Sequence, residues 1–275
     1  MKIIHVTHLT VCFLSHCIAA FSNHVLKSKK DQKNPEQCNA CIGNIARNFL
    51  TTAYGVQFHG DENINKDKPV LYVLRHATDL DAFVIASIHE KCKYITKPGV
   101  LKLPIASFSA KNGQQIIVDV KDKESRKQCK EKIIALFQQG YSVAVFPEGT
   151  LRRNRKKLGK FHTASIEIAC EMGIPISVVR ICDFPIRFFD RSSAPTVIFE
   201  PAQIYIDTNE AIFNIRKRLI HYLQQPTSTS KNQTICKLLT FVILLIVIQL
   251  CIKKQCLEAF LLLINVFLLC HYFPS

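Results

Sequence analysis

The chain has 275 residues, enough for one sizeable core plus attached segments. Its 36 lysines and arginines outnumber 21 aspartates and glutamates, a formal charge of +15 and a pI near 9.3. Such a balance calls for an anionic partner, nucleic acid or an anionic lipid surface. Neither zinc-finger spacing nor the glycine-aromatic motif of an RNA-binding sheet occurs, so no nucleic acid is expected.

In chain order, residues 1–26 hold a stretch free of Asp, Glu, Lys and Arg from Ile3 to Leu26. A crossing helix takes about 20 apolar residues, so this segment reads as a membrane anchor or a signal segment. The basic run "KSKKDQK" behind it sets the following domain on the cytoplasmic side. An alternation of elements then fills 36–224. "PEQCNACIGNIARNFLTTAYGV" is helical, "PVLYVL" a strand, "DAFVIASIHEK" a helix and "CKYITK" a strand. A short helical region "VLKLPIASFSAKNG" and the strand "QQIIVDV" follow, then the amphipathic helix "KESRKQCKEKIIALFQQG" and the buried strand "YSVAVF". "TASIEIACEMG" is a helix, and "IPISVVRI" and "APTVIFE" are strands. The last helix, "DTNEAIFNIRKRLIHYLQQ", opens with Asp207 as N-cap and Glu210 three residues on. Such alternation predicts an α/β domain with a largely parallel sheet flanked by helices. A linker, 225–236, leads to two charge-free runs within 237–275, read as a membrane-associated hairpin.

Twelve cysteines do not make a disulfide scaffold. Six lie in or beside the terminal apolar segments, and Cys92, Cys170 and Cys182 read as small core residues. Cys38 and Cys41 are one C-x-x-C pair with no second pair to complete a zinc set. They read as residues on one helix face, with a redox or metal pair as the other possibility, and no metal is expected.

Loops beyond the carboxyl ends of parallel strands are where an open α/β sheet collects chemistry. Two are polar here. "RHATDLD" puts His76 after a strand, with Asp79 three positions on and Asp81 five. An imidazole removes a proton near neutral pH when a carboxylate holds its other nitrogen. Regular helix would bring Asp79 to His76; a turn that becomes helix later would bring Asp81. The same residues also suit a plain N-cap or polar turn. The second loop, "FPEGTLRRNRKKLGK", holds six cations in the nine residues from Arg152 to Lys160. It reads either as a solvated basic loop drawn to anionic lipid, or as a phosphate clamp built on arginine forks.

Together, H-x4-D at His76–Asp81 and "FPEGT" after a downstream strand resemble the glycerolipid acyltransferase superfamily, typified by 1-acylglycerol-3-phosphate acyltransferase, over approximately residues 65–205. "TKPGVLKLPIASFSA" is similar to the second family block, with Lys97 and Pro104 at matching places, and "GIPISVV", with Pro175, to the fourth. Two departures stand out. Val120 and Lys121 occupy the place of the second block's arginine, and Leu151 intervenes before Arg152 and Arg153. Both family arginines are assigned to the acceptor's phosphate.

The resemblance implies a membrane-bound acyltransferase of phospholipid synthesis. His76, oriented by Asp81, would be the base that activates the free hydroxyl of lysophosphatidic acid against an acyl thioester, acyl-CoA or acyl carrier protein, giving phosphatidic acid. Lys97, Glu148, Gly149, Thr150, Arg152, Arg153 and Pro175 would bind substrate, and no cofactor is required. The alternatives are transfer to another lysophospholipid or to glycerol phosphate, and a membrane-anchored lipid-binding protein without turnover.

Overall fold

The computed structural model describes residues 34–102, 104–152, 157–184 and 195–221. The expected segments 1–26 and 237–275 and the linker 225–236 lie outside the described residues. Among the described residues no helix is long and apolar enough to cross a membrane.

Helix α1 (Pro35–Tyr54) begins at Asn34, whose side chain accepts from the Glu36 and Gln37 N–H groups, and ends at Gly55 in the left-handed region. Then come β1 (Gln57–His59), β2 (Leu71–Leu74), α2 (Asp81–Ala86) and β3 (Cys92–Thr96). A 3-10 turn (Pro98–Lys102) leads to α3 (Pro104–Asn112) and β4 (Ile116–Ile117). The remainder is α4 (Lys123–Gln138), β5 (Ser142–Val145), α5 (Ala164–Glu171), β6 (Ile176–Cys182), β7 (Thr196–Phe199) and α6 (Thr208–His221). Asp207 accepts from the Glu210 N–H at 2.7 Å, the cap its sequence position calls for.

One seven-stranded sheet runs β1-β7-β6-β2-β5-β3-β4. Every pairing is parallel except β6 with β7, so β7 and its parallel partner β1 run against the other five. The three-residue β1 directly follows the predicted helix, at residues for which the sequence suggests no element. The sheet is thus largely parallel, as the alternation predicts, with a reversed pair on one edge.

Side-chain parity sorts the core into two layers. Leu71 and Val73 of β2, with Val143 and Val145 of β5, pack under α4, α5 and α6 against Ile133, Phe137, Ile166, Ile215 and Leu219. Tyr72 and Leu74, with Ala144, face Phe49 and Leu50 of α1 and Val84 and Ile85 of α2. All four β2 side chains are fully buried, and the three aliphatic ones, Leu71, Val73 and Leu74, each contribute about 1.5–3 kcal/mol by leaving water. Cys129, alone in a charged helical segment, turns out to face the core layer under α4, and Cys92, Cys129, Cys170 and Cys182 are free thiols. Among the described residues no group of three or more metal-ligating side chains converges, and Cys38 and Cys41 share helix α1.

β5 inserts between β2 and β3, and β6 returns to the other side of β2. The chain reverses its direction of progress there, so the loops leaving β2 and β5 open side by side at the sheet's carboxyl edge.

Candidate active site

In parallel register Val73 pairs with Val145, which carries His76 to the level of Glu148. Parity decides what meets what. His76 continues the face of Tyr72 and Leu74, and Phe146 that of Ala144. Their rings stack, centroids 4.3 Å apart and 18° from parallel.

The chain leaves β2 as irregular backbone, turns at Thr78–Leu80 and becomes helical only at Asp81. That path, rather than regular helix from His76, brings Asp81 round and not Asp79. Asp81 is 1 % exposed and its Oδ2 stands 3.2 Å from His76 Nδ1. The same oxygen accepts the Ala77 N–H at 2.6 Å and the Thr78 N–H at 2.8 Å, and Oδ1 accepts the Thr78 hydroxyl. With three donors on it besides the imidazole, the carboxylate is fixed in place to meet His76. Nδ1 is engaged, the ring keeps a quarter of its surface exposed, and Nε2 is the nitrogen that Asp81 does not hold.

The second loop is tied to the first. The Arg152 N–H donates to the His76 carbonyl at 2.8 Å. Gly149, at φ 62°, makes a turn that L side chains resist, and a Cβ there would stand 2.7 Å from the His162 ring. Glu148 points inward. It is 2 % exposed; its Oε1 is 3.5 Å from Arg75 Nε, and its Oε2 accepts the Gly159 N–H at 2.7 Å and lies 3.8 Å from Arg152 Nε. Glu148, expected to bind substrate, is here an inward carboxylate that closes the loop on itself. Burial pulls the Arg75 guanidinium below its usual pKa, and the Glu148 charge opposes that shift.

The other candidates divide. Arg152 is half-exposed with its guanidinium over Gly159. Thr150 is exposed beside it, and Arg153 lies outside the described residues. Lys97 is exposed at the carboxyl end of β3, two strands from β2 and so about 10 Å across the same rim. Lys121 lies beyond β4, one strand further out. Pro175 is not part of this constellation. Its carbonyl accepts the Leu71 N–H at 2.9 Å, at the amino end of β2, roughly 13 Å down the strand from the His76 loop. A proline there can begin a strand because its missing N–H is not needed.

Arg75 is a further residue of this site, outside the sequence motifs. A charged residue directly continuing a fully buried strand was the available signal, since a buried cation needs a partner.

Comparison with known proteins agrees with this geometry. Residues 55–182 match the family model "Acyltransferase". The chain is 30% identical over 124 residues to the chloroplastic 1-acyl-sn-glycerol-3-phosphate acyltransferase BAT2 of Brassica napus, covering 45% of this chain and 36% of that protein. It is 29% identical over 124 residues to the chloroplastic 1-acyl-sn-glycerol-3-phosphate acyltransferase LPAT1 of Arabidopsis thaliana, covering 45% and 35%. The match thus spans about a third of the length of these curated relatives. The crystal structure of the 1-acyl-sn-glycerophosphate (LPA) acyltransferase PlsC from Thermotoga maritima shares the fold, with a TM-score of 0.63 and 19% identity over 82% of this chain and 97% of that one.

Proposed function

We propose, for a chain that belongs through residues 55–182 to the glycerolipid acyltransferase superfamily, that it moves a fatty acyl group from a thioester to the free hydroxyl of a phosphate-bearing lysolipid. Lysophosphatidic acid is the acceptor and phosphatidic acid the product. The observation that carries this reading is His76 Nδ1 held by the buried Asp81, beside a loop rich in cations.

His76 Nε2 takes the proton of the acceptor hydroxyl as its oxygen attacks the thioester carbonyl carbon. Asp81 stabilises the imidazolium that forms. Collapse of the tetrahedral intermediate breaks the C–S bond, and the imidazolium returns its proton to the leaving thiolate. Arg152, over Gly159 at the loop's mouth, holds the acceptor phosphate, with Lys97 across the rim as a second cation. The donor is acyl-CoA or acyl carrier protein, and the chemistry calls on no metal. Both substrates must meet in one site, which suits an enzyme lying on a membrane with its catalytic domain facing the cytoplasm.

A second reading, transfer to a lysolipid with another head group, draws on Val120 and Lys121 standing where the family carries an arginine. Purified protein assayed with labelled acyl-CoA against a panel of lysolipid acceptors separates the two. Folded His76→Ala protein should transfer no acyl group to any of them; full activity in that variant would sink the mechanism.

A further inference from the structure

We infer that Arg75 is the positioning residue that sets the acceptor-phosphate loop at its distance from the base, an inference that rests on the acyl-transfer reading above. It continues the parity of Leu71 and Val73 and so points into the layer beneath the loop, on the face opposite to His76. There it is 8 % exposed and touches both ends of that loop. Its Nε lies 3.5 Å from Glu148 at the loop's start, and its Nη2 donates to the Lys157 carbonyl at 3.2 Å near the loop's end. Glu148 in turn holds the Gly159 N–H and flanks Arg152.

The arrangement has a purpose that burial alone does not require. A salt bridge kept only for stability is replaceable by apolar side chains of similar volume. This one connects the residue adjoining His76 to the Glu148 carboxylate ahead of the cations and to the backbone of Lys157 among them. With the Arg152 N–H on the His76 carbonyl, it fixes the loop to the base's own segment at both ends. A guanidinium serves because its fork addresses a carboxylate and a carbonyl at once, which an ammonium on a single point cannot reproduce. Arg75 itself touches no substrate. Its effect is to place Arg152, and through it the phosphate, where the hydroxyl meets Nε2.

The test compares Arg75→Met, Arg75→Lys and the double variant Arg75→Met/Glu148→Met. Initial rates are measured with lysophosphatidic acid in detergent micelles, together with tryptic cleavage at residues 152–160 under native conditions and thermal melting. Arg75→Met should raise the acceptor KM and the cleavage rate at least about tenfold while kcat stays within about threefold. Arg75→Lys should fall between it and the native enzyme. The double variant should recover native melting yet keep the raised KM and fast cleavage, and it carries the same test should Arg75→Met prove unstable. An unchanged KM, a loss confined to kcat, or a native KM in the double variant overturns the proposal, the last by reducing Arg75 to charge compensation. If the native protein acylates no phosphorylated lysolipid, the acyl-transfer reading fails by itself. The cleavage comparison then decides for Arg75: acceleration supports the tether, and no change removes it.

Discussion

Replacing Asp81 by asparagine separates the two things its carboxylate does. Oδ2 accepts three N–H groups, from Ala77, Thr78 and His76, and Oδ1 accepts one hydroxyl. An asparagine with its carbonyl in the Oδ2 place keeps the three N–H bonds, at neutral rather than charge-assisted strength. Its NH2 meets the Thr78 oxygen, which turns from donor to acceptor, so folding should weaken by only about 1–2 kcal/mol. Alanine removes every acceptor. The Ala77 N–H, Thr78 N–H and Thr78 hydroxyl are then buried without partners, and the loss should reach about 3–5 kcal/mol.

Activity follows the charge rather than the scaffold. At 3.2 Å, an effective dielectric near 20 puts the attraction between Asp81 and a protonated His76 at roughly 5 kcal/mol as an upper figure. A loss of about 3–5 kcal/mol corresponds to a drop of roughly 10²–10⁴ in kcat. Asp81→Asn should therefore melt close to the native protein yet transfer acyl groups 10²–10⁴ times more slowly, and Asp81→Ala should be both slow and unstable. Asp79→Asn should change the rate less than about threefold, having no place at the imidazole. Initial rates of labelled acyl transfer at saturating donor, paired with urea denaturation followed by circular dichroism, measure both axes. Asp81→Asn retaining more than about a tenth of native kcat would refute the orienting and charge-stabilising role. So would equal destabilisation by Asn and Ala.

Three further outcomes are expected. Arg152→Ala should lower kcat/KM for a phosphorylated acceptor about 100-fold even in neutral micelles, whereas neutralising the exposed Lys157 should mainly weaken binding to anionic vesicles and do so less as salt rises; identical, salt-mimicked behaviour of the two variants would make the loop an electrostatic anchor only. Gly149→Ala forces a side chain to φ 62° and against His162, so thermal melting should show a loss of about 1–2 kcal/mol, of which His162→Ala recovers the clash but not the backbone strain. His89 is pushed down from 6.5 to about 4 by burial, beside the Tyr72 ring at 5.9 Å. Its neutral form is the folded one, so its stabilising contribution is complete above pH 6.5 and is lost as pH falls toward 4. Urea titrations should therefore show about 3 kcal/mol less pH dependence across that window in His89→Phe than in the native chain; equal slopes would mean His89 titrates normally.

Most of the architecture was legible in the sequence because it rests on short-range rules. Runs such as "YSVAVF", buried on both faces, signal parallel strands, and the helices between them signal crossovers; Asp207 marks a helix start by its own side chain. The histidine-aspartate spacing and the placement of both polar loops after strands likewise follow from local order along the chain. Which aspartate reaches His76 is different. It depends on where irregular backbone gives way to helix, which is Asp81; local geometry by itself allowed either, and only the family resemblance favoured Asp81. Pro175 sits near a strand in sequence, yet parallel strand direction sends it to the far end of the sheet from His76. Glu148 and Arg75 are more than 70 positions apart, and only the register of β2 against β5 sets them face to face in the core. The reversal of β7 against β6 and the addition of β1 beside it are long-range pairings of the same kind. Residue types and local periodicity determine which elements form and which side chains can do chemistry. Strand order, direction and register determine which of them meet, because those depend on packing between segments far apart in the chain.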